Sequence, residues 1–367
     1  MPSAIPSSEL NASLTKITRT SSPRPLPLPG SREELSHAYC SDHMATVRWT
    51  QSGGWEVPEV RPYENFSISP TASVLHYATE CFEGMKVYRG VDGKLRLFRP
   101  DCNGERLLMS AKRASLPSFK PDELKKLIAK LAQVDGARWL PKSNPESFLY
   151  LRPTLIANGE GIGLAEPKEA LLYIIMLPWL DPSKALVSSS PAGDSAPPPG
   201  IKLLTSQPDS IRAWPGGFGY AKLGANYGPS LQGHKAAKAI GFDQILWLFG
   251  PERVVTEAGG SNFFIVWRNP QTKGLELVTP SLDTQLILPG ITRRSVLELA
   301  RDNLSSPAPS SDLEPVEVVE KDFGIADLET AWKEARIVEA FVSGTAVSSV
   351  VPTSPSPFLQ DTNATSL

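Results

Sequence analysis

The sequence predicts a mixed α/β protein of two domains, and three observations carry that expectation. The 367 residues suffice for two ordinary domains with sizeable cores. Short runs of alternating apolar residues interleave with segments whose apolar residues recur at three-and-four spacing. One abrupt change of composition, Ser188-Ser-Ser-Pro-Ala-Gly-Asp-Ser-Ala-Pro-Pro-Pro-Gly200, reads as an interdomain linker. The expected division is a flexible arm over 1–30, an α/β domain over 31–180, a linker over 181–200, a larger domain over 201–351 and a disordered tail over 352–367.

In chain order, the Ser/Thr/Pro-rich start ends in Pro23-Arg-Pro-Leu-Pro-Leu-Pro29, an extended arm that lies on another surface or stays mobile. Strand-like patterns follow at 47–50 and 63–68. A hairpin is expected from 85–88 through Val91-Asp-Gly93 to 95–98, because an Asp-Gly turn between alternating runs is a strong hairpin signal. One helix follows Pro100, with Leu107, Leu108, Ala111 and Ala114 inward. A second starts at Pro121 and buries Leu124, Leu127, Ile128, Leu131 and Val134. Strands are expected at 148–156 and 170–177. The run Gly159-Glu-Gly-Ile-Gly163 between them opens no helix, so it is not a dinucleotide fingerprint. Past the linker come strands at 201–204, 244–248, 262–267, 275–279 and 338–341. Helices are expected over 229–240, 292–304 and 325–335, with a surface loop at 305–315.

Composition removes several function classes. A net charge of −2 with scattered basic residues gives no footprint for nucleic acid or an anionic membrane. No apolar run approaches the roughly 20 residues of a membrane helix. Three cysteines without a CxxC pair suit a reducing compartment, and four histidines lack metal-ligand spacing. The first eighteen residues hold one basic residue, Lys16, and no apolar core of a secretory signal. A cytoplasmic protein is expected, with a mitochondrial one as the alternative.

The chemistry centres on Gly216-Gly-Phe-Gly-Tyr-Ala-Lys222-Leu-Gly-Ala-Asn-Tyr227-Gly228, where one lysine sits among glycines and aromatics. Desolvation in such company lowers a lysine pKa and exposes a nucleophilic amine. By itself the stretch also reads as a Gly-rich loop with a snorkelling lysine. Other segments suit a phosphorylated cofactor bound to that amine. Arg99 stands at a strand end beside Pro100, where a guanidinium is placed to hold phosphate, although an isolated arginine also reads as plain surface. Leu288-Pro-Gly-Ile291-Thr292 leads into a helix and offers backbone N–H groups and a hydroxyl, which also describes ordinary capping. Gly344-Thr345 adds another hydroxyl at a turn. Glu257 lies between an apolar strand and glycines, as a functional carboxylate or a solvated loop residue.

Taken together, these segments resemble the branched-chain amino-acid aminotransferases, members of the fold-type-IV pyridoxal-phosphate (PLP) enzymes. The resemblance runs from Asp42-His-Met44 through Phe82-Glu-Gly-Met-Lys86, Arg96-Leu-Phe-Arg-Pro100, Tyr150-Leu-Arg-Pro153, Lys222-Leu-Gly-Ala-Asn-Tyr227 and Pro289-Gly-Ile-Thr-Arg293 to Gly344-Thr-Ala346. It implies a small N-terminal α/β domain, a larger C-terminal pseudo-barrel domain and a homodimer. It implies transamination between an L-amino acid and 2-oxoglutarate or another 2-oxo acid, with Lys222 as Schiff-base lysine and proton shuttle. Glu257 would then pair with the pyridine nitrogen and Tyr227 with the phenolic oxygen. Arg99, Ile291, Thr292 and Thr345 would hold the phosphate. Tyr77, Phe82, Tyr150, Gly344 and Ala346 would line the side-chain pocket, and Arg152 would receive a distal carboxylate.

Three departures stand out. Where the family commonly reads Val-Gly-Thr-Met-Asn, this chain reads Ala258-Gly-Gly260-Ser261-Asn262, and Cys40-Ser41 replaces an aromatic of the pocket wall. Each change removes volume, so two readings stand: neighbouring side chains repack around ordinary branched-chain substrates, or the pocket is wider and takes a longer or functionalised 2-oxo acid such as specialised metabolism supplies. After Thr345 the family continues through further strand and helix, whereas this chain runs Val347-Ser-Ser-Val-Val351 into Pro352-Thr-Ser-Pro-Ser-Pro357. Apolar surface exposed in the larger domain is expected from that. Two further readings are a fold-type-IV relative of other outcome, a D-amino-acid transaminase or carbon–oxygen lyase, and a non-catalytic descendant.

Overall fold

The computed structural model describes residues 8–28, 31–142, 147–179, 200–306 and 313–345. The expected linker, except Gly200, and the expected tail lie outside the described residues, as does Ala346. Clustering of contacts separates residues 1–180 with 221–225 from residues 181–220 with 226–367. Lys222 thus belongs to the first unit, although the chain on both sides of its short segment belongs to the second.

The first unit is a sheet with two long helices packed against it. Its strands are β1 (Lys16–Ile17), β2 (His43–Thr50), β3 (Gly54–Trp55), β4 (Glu59–Pro62), β5 (Glu80–Phe82), β6 (Met85–Arg89), β7 (Leu95–Leu97), β8 (Phe148–Ile156) and β9 (Glu169–Pro178). They run in the order β1-β4-β2-β9-β8-β6-β7, with β3 on β2 and β5 on β8. Helices α1 (Arg32–Leu35), α2 (Ser73–Tyr77), α3 (Pro100–Arg113) and α4 (Pro121–Trp139) complete the unit. Helix α4 starts as its sequence predicts, with Pro121 in the first turn and Asp122 and Glu123 favouring the positive end of the dipole. Its Leu124, Leu127, Ile128 and Leu131 are almost wholly buried. Each such side chain contributes about 1.5–3 kcal/mol by leaving water.

The period-two rule divides the sheet into two chemically different faces. Cys81, Met85, Leu149, Leu151, Leu155, Leu172 and Ile174 are buried core residues. The intervening positions Glu80, Phe82, Tyr150, Arg152, Thr154 and Tyr173 are polar or aromatic and share the opposite face through the register Phe82↔Thr154, Arg152↔Ile175 and Thr154↔Tyr173. That face is where the candidate residues gather.

One expectation needs correction here. No strand forms over 63–68; the pairing segment is β4, whose register puts His43 opposite Pro62. Before His43 the chain leaves that edge, and the Ser41 amide bonds to the Met176 carbonyl instead, so residues after Tyr63 have no partner strand. The arm over 1–30 is not free over its described part. β1 pairs in parallel with β4, and the Ala12 amide donates to Glu123 at 2.7 Å. The Thr20 amide donates to His43 Nε2 at 2.9 Å and the Arg24 amide to Asp42 at 2.7 Å.

The second unit contains β10 (Leu203–Thr205), α5 (Ser230–Ala239), β11 (Gln244–Phe249), β12 (Val254–Ala258), β13 (Ser261–Arg268), β14 (Leu275–Thr279), α6 (Ile291–Asn303), β15 (Val316–Glu320), α7 (Ile325–Lys333) and β16 (Ile337–Ser343). The sheet order is β10-β11-β12-β13-β14-β15, with β16 on β13. Strand β13 is its hub. It carries β16 along one edge, and along the other β12 at its start and β14 at its end. Its Phe263, Ile265 and Trp267 pack with Leu246, Val255, Phe323 and Leu328 in one core. An apolar cleft lined by Leu203, Phe263, Ile325, Trp332 and Ile337 opens on this unit. No helix among the described residues is long and apolar enough to cross a membrane.

Candidate active site

In the first unit the site is built on the polar face of the sheet. Lys222 is held by its backbone: its amide donates to Ser110 Oγ at 2.8 Å, and its carbonyl accepts from the Phe82 amide at 3.1 Å. A bridge between Cys81 and Leu223 extends that pairing. The amine Nζ lies 4.8 Å from the centre of the Phe82 ring, and the Arg152 guanidinium lies 4.7 Å from the same centre. Arg152 Nη2 donates to Tyr150 Oη at 3.2 Å. The Lys222 side chain keeps some accessible surface, yet its amine sits in dense surroundings. Loss of solvation, and then the Arg106 guanidinium, lower its pKa to about 8. Glu83 and Tyr150 oppose that shift, and Arg152 adds to it.

Glycines make this geometry possible at two points. A Cβ on Gly84 would stand 2.0 Å from Tyr150 Oη, and one on Gly224 would stand 1.7 Å from Glu80 Oε1. Burial raises the Glu80 pKa, against the pull of Arg152. Arg99 caps α3 in the left-handed region, φ 47°. Tyr77 is exposed, and its hydroxyl donates to the Ile162 carbonyl. Cys40 is buried against Tyr150 and Leu177, with Tyr63 and Trp179 packed on the same cluster. Trp179 is itself sandwiched, 3.8 Å from His37 and 4.7 Å from Tyr150 between ring centres. Rings of Tyr63, Tyr150 and Trp179 thus share one cluster with Cys40.

In the second unit Glu257 is the centre. Its carboxylate accepts from the Leu288 amide at 2.8 Å and from Asn262 Nδ2 at 3.3 Å, and pairs with Arg212 at 2.8 Å. Glu257 and Asn262 face each other across β12 and β13, and Asn262 is also opposite Ser343. Asn262 Nδ2 also donates to the Leu288 carbonyl at 2.9 Å, and a Cβ on Gly290 would fall 1.9 Å from its Oδ1. Gly290 is the N-cap of α6 and has no side chain to accept from the first-turn amides, which begin at Ile291 and Thr292. A Cβ on Gly344 would stand 3.1 Å from Ser261 Oγ, so the turn before Thr345 reaches the same place. At Gly260 a Cβ would meet only Tyr227 Cε1, at 3.8 Å. Room for a further methyl group exists there.

These donor sets fit an anionic aromatic cofactor. In the first unit a lysine amine of lowered basicity, and in the second a buried carboxylate fixed by three donors and a glycine-capped helix start, are each of a kind that such molecules use. Residues 80–351 match the family described as amino-transferase class IV. The chain belongs to the class IV aminotransferases, among the branched-chain enzymes. It is 43% identical over 306 residues to the cytosolic branched-chain-amino-acid aminotransferase of Mus musculus, covering 83% of this chain and 73% of that one. To the cytosolic enzyme of Saccharomyces cerevisiae it is 42% identical over 341 residues, covering 92% and 83%. Among solved structures, the branched-chain amino acid aminotransferase of Escherichia coli superposes with a TM-score of 0.60 at 25% identity, covering 83% of this chain and 84% of that one.

For a class IV aminotransferase, the structure adds residues that sequence reasoning passed over. Arg212 holds Glu257, yet Ile211-Arg-Ala-Trp214 carries no motif that marks it. Asn262 was read as the end of a motif, not as the hinge of the carboxylate network. Glu83, Asn103, Arg106 and Ser110 form a buried polar cluster under the Lys222 segment. Helical spacing at 103, 106–107 and 110 was the available signal for that cluster.

Proposed function

We propose that this class IV aminotransferase exchanges an amino group between branched-chain or longer aliphatic L-amino acids and 2-oxoglutarate or a related 2-oxo acid, with PLP as cofactor. The observation that carries this reading is Lys222, an amine shifted to about 8 and set against Phe82, Tyr150 and Arg152. PLP supplies the electron sink into which the substrate Cα–H electrons are delocalised. With its pKa lowered to about 8, the Lys222 amine has a much larger neutral fraction near physiological pH than an ordinary lysine, and it would hold the position from which a proton is taken at Cα and returned. Glu257 would pair with the pyridine nitrogen, and Arg212, Asn262 and the Leu288 amide hold its carboxylate in place. Tyr227 is assigned to the phenolic oxygen, and Arg99, Ile291, Thr292 and Thr345 to the phosphate. Phe82, Tyr150, Cys40, Gly260, Ser261, Gly344 and Tyr77 are assigned to the substrate side chain, and Arg152 to a carboxylate.

A longer side chain is favoured by one feature, the open space beside Gly260 and Tyr227. The assembly proposed is a homodimer, and exposed Leu75, Tyr77, Ile162 and Leu164 supply an apolar patch suited to a second copy. Three free thiols suit the cytoplasm.

The test is spectral and kinetic. Addition of PLP to the purified chain is expected to produce a visible absorbance band that Lys222→Ala abolishes together with amino transfer from leucine to 2-oxoglutarate. A protein that gains no band is a non-catalytic descendant, and the proposal fails. Comparing kcat/KM for 4-methyl-2-oxopentanoate and 2-oxodecanoate decides the side chain. A strong preference for the former removes the longer-substrate reading.

A further inference from the structure

Beneath Lys222 lies a polar cluster that no role assigned above uses. Glu83 is fully buried, and Asn103, Arg106 and Ser110 are nearly so. Arg106 grips the Glu83 carboxylate with two bonds, Nε to Oε1 at 2.7 Å and Nη2 to Oε2 at 2.9 Å. Asn103 Nδ2 donates to Oε2 at 2.7 Å and the Gly84 amide at 3.1 Å. The three helix residues share one stripe of α3, at spacings of three and four. The last of them, Ser110, accepts the amide of Lys222. Glu83 follows Phe82, whose amide bonds to the Lys222 carbonyl. One helix face thus holds the Lys222 amide through Ser110, and it also grips Glu83, the neighbour of Phe82, whose amide bonds the Lys222 carbonyl.

We propose that this stripe is the positioning element of Lys222: Ser110 and the Phe82 amide fix its backbone, and the buried Glu83–Arg106 pair sets the charge its amine faces. A buried pair is weak evidence for stability, because two ions lose their water, and its retention needs another reason such as register or control of charge. The charged and titratable groups acting on the amine from the packed elements of this unit are Arg106 on α3, Glu83 after β5, and Tyr150 and Arg152 on β8. Arg106 disfavours the ammonium form and Glu83 favours it. The inference rests on the reading of Lys222 as the reactive lysine, and its test is independent of bound cofactor.

The measurement is the pH dependence of Lys222 acylation in cofactor-free protein, followed by mass spectrometry of the Lys222 peptide. Glu83→Gln leaves the Arg106 charge uncompensated, so the midpoint is expected to fall by about one pH unit. Arg106→Met leaves the Glu83 charge, so the midpoint is expected to rise by about as much. Loss of packing alone would move both variants the same way. Opposite shifts therefore support the proposal, and shifts of the same sign, or none, overturn it. Should Arg106→Met not fold, Glu83→Gln alone decides: an unchanged or rising midpoint overturns the proposal. Arg106→Lys, which keeps the charge, is expected to hold the midpoint near that of the parent, and a rise as large as that expected of Arg106→Met overturns it as well. Failure here with an intact PLP band leaves the function standing, whereas absence of the band removes the function and not the charge measurement.

Discussion

Gly84 has no room for a methyl group, because the Tyr150 hydroxyl occupies the place where its Cβ would stand. Gly84→Ala is expected to push that hydroxyl off Arg152, lower kcat/KM by about tenfold or more, a cost of ~1.4 kcal/mol in transition-state binding, and lower the melting temperature, as overpacking by about 1–3 kcal/mol would. Steady-state kinetics with a calorimetric scan check this. Lys222 itself has a consequence for stability. Its folded pKa of about 8 lies below the ordinary lysine value, so the folded state resists protonation relative to the unfolded chain. The resulting penalty is complete below pH 8 and disappears as pH rises toward about 10.5. In cofactor-free protein, Lys222→Met is expected to raise Tm at pH 7, with a gain that shrinks between pH 8 and 10.5. A gain that grows with pH would show the sign to be wrong. Lys222 was legible because a lone cation among glycines and aromatics is out of place in sequence. Glu83 was legible only as part of a motif, since Asn103 and Arg106, which explain its burial, come twenty and twenty-three positions later. Arg212 left no trace, because an arginine in a loop is ordinary until its carboxylate partner is placed.

At the scale of elements, local patterns with strong periodicity were read well. The helix over 121–134, the strands over 148–156 and 275–279 and the Asp-Gly hairpin are where apolar spacing places them. The strand expected at 63–68 failed because pairing depends on where β2 begins, which is not a local property. For the arm, sequence leaves both a surface-lying and a mobile reading open. Its Ser/Thr/Pro composition says nothing of acceptors elsewhere, yet Glu123, His43 and Asp42 accept its amides. Deleting residues 1–20 is expected to uncover the β4 edge and remove the bonds to Glu123 and His43. The loss should be about 1–3 kcal/mol in chemical denaturation, the scale of two or three such bonds. An unchanged midpoint would mean that the strap contributes no stability.

For the whole molecule, the apolar patch at Leu75, Ile162 and Leu164 bears on assembly. Leu164→Glu is expected to shift sedimentation from two copies toward one, with the far-ultraviolet spectrum retained. An unchanged sedimentation coefficient would place the contact elsewhere. The fold class was readable from alternating patterns and the composition break, but the membership of residues in each unit was not. Linear sequence suggests a boundary near 180–200, whereas contacts return residues 221–225 to the first unit. Cys81 and Leu223 bridge, and Ser110 takes the Lys222 amide, across more than a hundred residues of intervening chain. No single cut therefore yields two complete halves. A gene fragment ending at residue 180 would encode the Phe82 face without its amine, and the complementary fragment would encode the amine without the helix that holds it. Exchange of either stretch alone would therefore separate Lys222 from the helix and strand that fix its backbone.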